Sequence, residues 1–411
     1  MQIFDFGWLD FSAADKKRVK DALAAISSGS IDELGISIIR DGFSDILFPG
    51  LSVVQTSLKY FLLIPAMLKK IELDSRSEII SEIQKDNSEG QLFRLIRTKL
   101  IKRECKFCDD ACNEAEDKTN IIGNDTAKSD IPYEKRLVRF PHDIFWHGLY
   151  TLGLIDAPTM KAYISNLQLR YKQKDEKKHN KQAVEEYWGK FFPFNPDEIL
   201  KTSICGTPLQ LTEDEKKFLY KKMLDAVEGK NTLFKEIIEN YGNYKLQSSN
   251  AKDIASSLDC FGVDEAKDAA KFSLYMRCAF LGFNIAYFYD DEEKVDAFLY
   301  EIGVLKNDVG GKFDLDFLDA IAKKFKYDAK KPLVFNEMKT YFSLLNSDFT
   351  SEKIKDQMIQ WEKTAKGSKA YLGKSNPAKN EKWVGMKYLD FRLETALKLF
   401  GEQINEKERS L

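Results

Sequence analysis

The chain is poor in most of the residues from which a reaction is usually read. It has three histidines among 411 residues and no Gly-x-Ser-x-Gly turn, so serine or cysteine nucleophile chemistry has little support. Its six cysteines follow a start, Met1 to Asp10, that lacks a basic stretch leading into an apolar one and a small-residue cleavage site. No secretory leader is therefore expected, and the cysteines read as reduced thiols in a cytoplasmic protein. The longest apolar run, Tyr60 to Leu68, contains Pro65 and is far short of the roughly 20 residues that cross a bilayer. Charge of one sign is also missing. With 63 basic and 65 acidic residues the formal net charge is −2, which argues against a wholly basic surface while leaving room for a local basic face. There is no convincing internal repeat and no run of alternating strand pattern.

What is present is enough apolar material for more than one core. Hydrophobic residues make up 43% of the chain, and its length exceeds that at which single cores usually stop growing. The periodicity predicts a mainly α, multi-domain helical array. Ser12 and Asp15 open a helix over 12–27, and a second runs from Asp32 to Leu47 until Pro49-Gly50 breaks it. A third covers Val54 to Lys70, where Pro65 predicts a kink or a split. Ile79, Ile80 and Ile83, then Leu92 to Leu100 behind a Ser88–Gln91 capping box, continue the period. Residues 103–133 read as an irregular insertion. From Pro141 the stretch HDIFWHGLYTLGLI is apolar on several sides and central to packing. Thr212–Glu215 is another capping box, Ala266 to Tyr289 a buried helix, and Gly310-Gly311 a tight turn. The polar run YKQKDEKKHNKQ from Tyr171 sets a boundary. The expected division is an N-terminal helical domain over 1–171, a central one over 183–300, and a helical, basic C-terminal region over 301–411.

Several constellations carry candidate chemistry, each against a plainer structural reading. Cys105, Cys108 and Cys112 have spacing that can begin a zinc site, with His142 as fourth ligand if the loop folds back; otherwise no cofactor is expected. His142 and His147 lie five apart, about 140° around a helix, so they should not share a metal. Gly367 to Ser375 misses the phosphate-loop spacing by one residue. Asp41 and Asp45 are four apart, near Asp10, Asp32 and Glu33, and could form a divalent-metal cluster for a hydrolase or nuclease; ordinarily such acids are a solvated face or partners for Arg40. Basic residues gather at Arg94, Arg97, Lys99, Lys102 and Arg103, at Lys135, Arg136 and Arg139, and through Lys363, Lys366, Lys369, Lys374, Lys379, Lys382 and Lys387. Tyr371 and Trp383 interleave with the last group, a pattern suited to phosphates and stacked bases.

Three segments together carry a family pattern. The first is Gly7-Trp8-Leu9-Asp10-Phe11-Ser12, then Asp32-Glu33-Leu34-Gly35, Ile39-Arg40-Asp41 and Leu47-Phe48-Pro49-Gly50 with Gln55-Thr56 and Tyr60-Phe61. The second is Ile121-Ile122-Gly123, Phe140-Pro141, Ile144-Phe145-Trp146 and Gly148-Leu149. The third is Lys366-Gly367, Trp383 and Leu389-Asp390-Phe391-Arg392. In these the chain resembles a bacterial family named only as a domain of unknown function, with Lys59 where that family tends to have arginine and Leu393 where it has tryptophan. Similar proteins sit beside helicase and phospholipase-D-type nuclease genes in anti-phage defence loci. The resemblance thus implies an accessory defence subunit that binds a partner protein, with no catalytic residues to carry over.

Overall fold

The computed structural model describes residues 32, 34–85, 88–115, 117–172, 181–201, 208–230, 232–240, 263–347, 349–373 and 388–404. Within them the protein is mainly α, and no strand occurs. The helices are α1 (Ser37–Leu47), α2 (Tyr60–Asp74), α3 (Arg76–Ile83), α4 (Ser88–Glu114), α5 (Tyr133–Arg136), α6 (Pro141–Thr151), α7 (Met160–Lys172), α8 (Lys181–Gly189) and α9 (Pro196–Ile199). After them come α10 (Glu213–Ala226), α11 (Leu233–Asn240), α12 (Asp264–Tyr287), α13 (Glu292–Asp308), α14 (Leu315–Lys324), α15 (Tyr327–Lys330), α16 (Pro332–Asn346), α17 (Ser351–Lys366) and α18 (Leu393–Ile404). The helix expected over 12–27 lies outside the described residues. Among the described residues no helix is long and apolar enough to cross a membrane.

The chain folds into two compact units, each assembled from separated segments. The larger comprises Ser44–Gln247 with Arg392–Leu411, the smaller Met1–Phe43 with Ser248–Phe391. This division is discontinuous, unlike the three consecutive segments expected from composition.

In the larger unit α2 is buried on nearly every side from Tyr60 to Leu68 and packs against α4, α6, α8 and α9. Pro65 does not split it: one helix runs from Tyr60 to Asp74. Proline forfeits a single backbone bond there, and burial of side chains on both flanks, each worth about 1.5–3 kcal/mol when complete, outweighs that loss. The polar groups α2 brings inward are matched. Glu72 is fully buried and accepts from Tyr163 Oη at 2.6 Å, Trp188 Nε1 at 3.1 Å and Arg170 Nη2 at 3.0 Å. Lys59, just ahead of α2, donates to Glu215 at 2.6 Å. Glu215 also closes the capping box of α10, accepting the Thr212 N–H at 2.8 Å while Thr212 Oγ1 accepts its own N–H at 3.3 Å.

The stretch expected as an irregular insertion from residue 103 is helical through Glu114. Polar residues misled the reading because only one face of α4 is buried: Ile101, Cys105, Cys108 and Cys112 point inward while Lys102 and Lys106 are exposed. Beyond residue 114 the chain does lose regularity until Tyr133.

The smaller unit is built on α12, which packs against α13 and α17, with α16 and α17 forming a helical hairpin. Tyr275 lies 5.0–5.5 Å from the rings of Phe313, Phe317 and Phe342. Tyr341 Oη donates to the Cys278 carbonyl at 2.7 Å. The 34–35 turn is held by α17, since Trp361 Nε1 donates to the Leu34 carbonyl at 3.0 Å.

Candidate nucleic-acid interface

Each sequence-derived candidate can be followed to its surroundings. Cys105, Cys108 and Cys112 are buried on one face of α4. Burial pushes the Cys105 thiol up to about 12 and raises Cys108 and Cys112 as well. His142 is committed elsewhere: its Nδ1 is 2.8 Å from Glu104 Oε2, and its N–H donates to Glu104 Oε1 at 2.7 Å. Among the described residues no group of three His, Cys, Asp or Glu side chains could hold a metal ion. Asp41 pairs with Arg40 at 2.9 Å and Asp45 with Arg392 at 2.7 Å, and Asp32 caps α1 by accepting the Ser37 N–H at 2.9 Å. Asp10 and Glu33 lie outside the described residues.

The basic cluster of the larger unit is spread around α4. Arg94 and Lys102 are exposed and Arg97 is half-buried, but Lys102 stands about 140° around the helix from Arg97. Arg103 is taken up by Asp74 at 2.8 Å and Lys99 by Glu78 at 2.9 Å. Arg136 is half-buried and pairs with Asp109 at 2.7 Å.

The C-terminal basic group forms the more coherent surface. Lys363 and Lys366 occupy the last turn of α17, and a single 3₁₀ turn, Gly367–Lys369, follows. Lysines suit this position, because the free carbonyls of a helix C-terminus favour cations by about 0.3–1 kcal/mol. The turn is fixed from inside: buried Glu362 accepts the N–H groups of Tyr371 at 2.9 Å and Leu372 at 2.7 Å, and lies 3.5 Å from Lys366 Nζ. Tyr371 is half-buried and stacked on Tyr287, with ring centroids 5.5 Å apart. Its hydroxyl is pushed up to about 12, first by the hydrogen bond with Tyr287 and then by desolvation. Lys374, Trp383 and Lys387 lie outside the described residues.

A second set of lysines, missed in the sequence, joins this end of the unit. The run Lys323-Lys324-Phe325-Lys326-Tyr327-Asp328-Ala329-Lys330-Lys331 holds five lysines against one acid. Lys323 and Lys324 end α14, Lys326 turns the chain at φ 56°, and Lys331 precedes α16. The 34–35 turn ties the two sets together. Gly35 O accepts from Tyr327 Oη and Lys331 Nζ, both at 3.1 Å, and a Cβ on Gly35 would sit 3.3 Å from Ala365 Cβ, in α17.

Lys323, Lys326, Lys330, Lys363 and Lys369 are exposed and make no ion pair among the described residues. Lys324 lies 3.8 Å from Asp268 and Lys331 3.7 Å from Asp32. The corner where α14, α15, α16 and α17 end or begin thus carries an excess of positive charge in a chain whose net charge is slightly negative. Such segregation produces a local potential that attracts polyanions.

A family model described as a family of unknown function, DUF6361, matches residues 3–285, and the chain belongs to that family. No curated protein and no solved structure matches it. The lysine corner lies C-terminal to the matched residues.

Proposed function

We propose that this DUF6361 protein is a non-catalytic, cytoplasmic accessory subunit of a prokaryotic anti-phage defence system. It binds a helicase- or nuclease-type partner protein and contacts nucleic acid through the lysine corner of its smaller unit. The observation that carries the nucleic-acid part is the set of five exposed lysines at one end of that unit that make no ion pair among the described residues. The defence setting is supported by the resemblance of its motif segments to proteins found in such loci. The non-catalytic assignment is supported by the engagement of Asp41 and Asp45 with Arg40 and Arg392.

Fluorescence anisotropy with a labelled DNA duplex tests it. Binding is expected at low salt and should weaken steeply as salt rises, with a log–log slope of about −0.9 for each phosphate neutralised. The double charge reversal Lys326→Glu with Lys330→Glu should weaken binding at least about tenfold, since two contacts are replaced by two repulsions. No binding at low salt would remove the nucleic-acid contact. Divalent-dependent cleavage that disappears in Asp45→Ala would overturn the non-catalytic assignment.

A further inference from the structure

We infer that the lysine corner touches only the phosphate backbone, so that it holds nucleic acid without regard to base sequence. This rests on the nucleic-acid contact proposed above and goes further by assigning the mode of reading. Sequence is read by side chains that form paired hydrogen bonds with base edges: arginine with guanine above all, asparagine or glutamine with adenine. Lysine is a compact point charge on a flexible stem, suited to phosphate rather than to a planar two-point contact.

The corner supplies lysine almost exclusively. The smaller unit has two arginines among its described residues, and both are engaged: Arg40 with Asp41 at 2.9 Å, and Arg277 through Nε with Glu301 at 3.0 Å. Arg277 is also buried. The amides of Gln357 and Gln360 donate to Glu337 at 2.8 and 3.4 Å. Among the described residues the exposed amides left are Asn336, in the first turns of α16, and Asn307, whose neighbour Lys306 donates to the Leu345 carbonyl at the far end of α16; one amide at the corner reads at most one base.

The helices are also presented the wrong way for groove reading. A recognition helix brings its N-terminal residues to base edges in the major groove. Here α14 and α17 offer their C-terminal ends, α15 is four residues long, and α16 opens on Pro332 and an exposed Leu333. Tyr371 already stacks on Tyr287.

The experiment is a competition assay on the full chain at low salt. A labelled duplex is displaced by unlabelled duplexes of equal length and unrelated sequence. All competitors should act within about twofold of one another, and Asn336→Ala should change nothing. Lys326→Gln and Lys330→Gln should each weaken binding equally for every sequence and reduce the salt slope by about 1; unchanged melting temperatures in these exposed-site variants would confirm that folding is intact. A competitor favoured more than tenfold, or a sequence-dependent loss in Asn336→Ala, would overturn the inference while leaving the nucleic-acid contact standing. Absence of binding to any duplex would overturn both.

Discussion

Gly50 and Gly148, ninety-eight positions apart, show what two of the family segments do. A Cβ on Gly148 would run into the Gly50 carbonyl oxygen and the Phe61 ring, and one on Gly50, at φ 80°, would lie 3.2 Å from Gly148 Cα. Other residues of these segments converge on the same place. Gln55 Nε2 donates to Gly50 O at 3.2 Å, Tyr60 Oη accepts the Ile122 N–H at 2.9 Å, and Phe61 meets Phe145 with centroids 5.0 Å apart. The pattern therefore marks a packing site in the larger unit. Gly148→Ala should destabilise the protein although alanine is the better helix former. The propensity gain is about 1 kcal/mol, whereas forcing a methyl against a backbone oxygen and a packed ring costs about 1–3 kcal/mol and adds displacement of the neighbouring loop. Gly90→Ala, at an exposed position in α4 with nothing within 4 Å of the added carbon, is the matched control and should be neutral or stabilising. Urea denaturation of the two variants checks this; equal effects would contradict it.

At the scale of elements, helical periodicity was readable and its interruptions were not. The apolar spacing predicts a helix from Asp32 to Leu47 and helical content from Pro141, and the structure has helices at Ser37–Leu47 and Pro141–Thr151, because their inward faces are unambiguous. Pro65 does not split α2, since local propensity yields to burial on both flanks. The helical character of 103–114 was under-read, since half of α4 faces water. Neither error could be mended without knowing what α4 packs against. One such neighbour is α6, joined to it by the buried Glu104–His142 pair. Burial alone would lower the histidine, but the Glu104 carboxylate, assisted by Asp143, outweighs burial and the nearby Arg97 and leaves it raised; Glu104 is raised by burial despite its partner. Both shifts have one sign: the folded state holds protons that the unfolded chain releases. The stabilisation contributed by His142 is thus complete below its ordinary value of about 6.5 and is lost as pH climbs through the raised one. Stability of the native protein should fall above about pH 6.5, with a slope of at most about 1.4 kcal/mol per pH unit for this proton. In His142→Gln that component of the slope should vanish. Chemical denaturation at a series of pH values measures it, and an unchanged slope in the variant would refute the assignment.

At the scale of the whole molecule, length announced more than one core and periodicity a mainly α fold, yet the expected boundaries fell in consecutive order. The reason is that the residues completing each core come from distant parts of the chain, and helical patterns carry no record of which distant partner fills a face. In the smaller unit Phe43 lies 5.8, 4.8 and 5.4 Å from the rings of Phe272, Phe325 and Phe391, and the Leu34 carbonyl accepts from the buried Trp361 indole. The charged corner was legible only by half for the same cause: Lys366 and Lys369 stood in a recognisable basic stretch, while Lys326 and Lys330 join it through a turn 290 or more residues earlier, at Gly35. A fragment covering 248–391 keeps most of that unit's helices but loses Phe43 and Leu34. It leaves a hole among three phenylalanines and an indole N–H without its acceptor. Removal of a buried phenyl ring costs about 3–5 kcal/mol and an orphaned buried donor about 1–3 kcal/mol, together comparable with the 5–15 kcal/mol that stabilises an ordinary domain. Expressed alone, 248–391 should lack a cooperative thermal transition by circular dichroism and be cleaved rapidly by protease. Joining residues 1–43 to it through a flexible linker should restore both cooperativity and protection, and the Phe43→Ala version of that fusion should restore neither. A sharp transition in the bare fragment would show that the 34–43 segment is an accessory to this core and not a part of it.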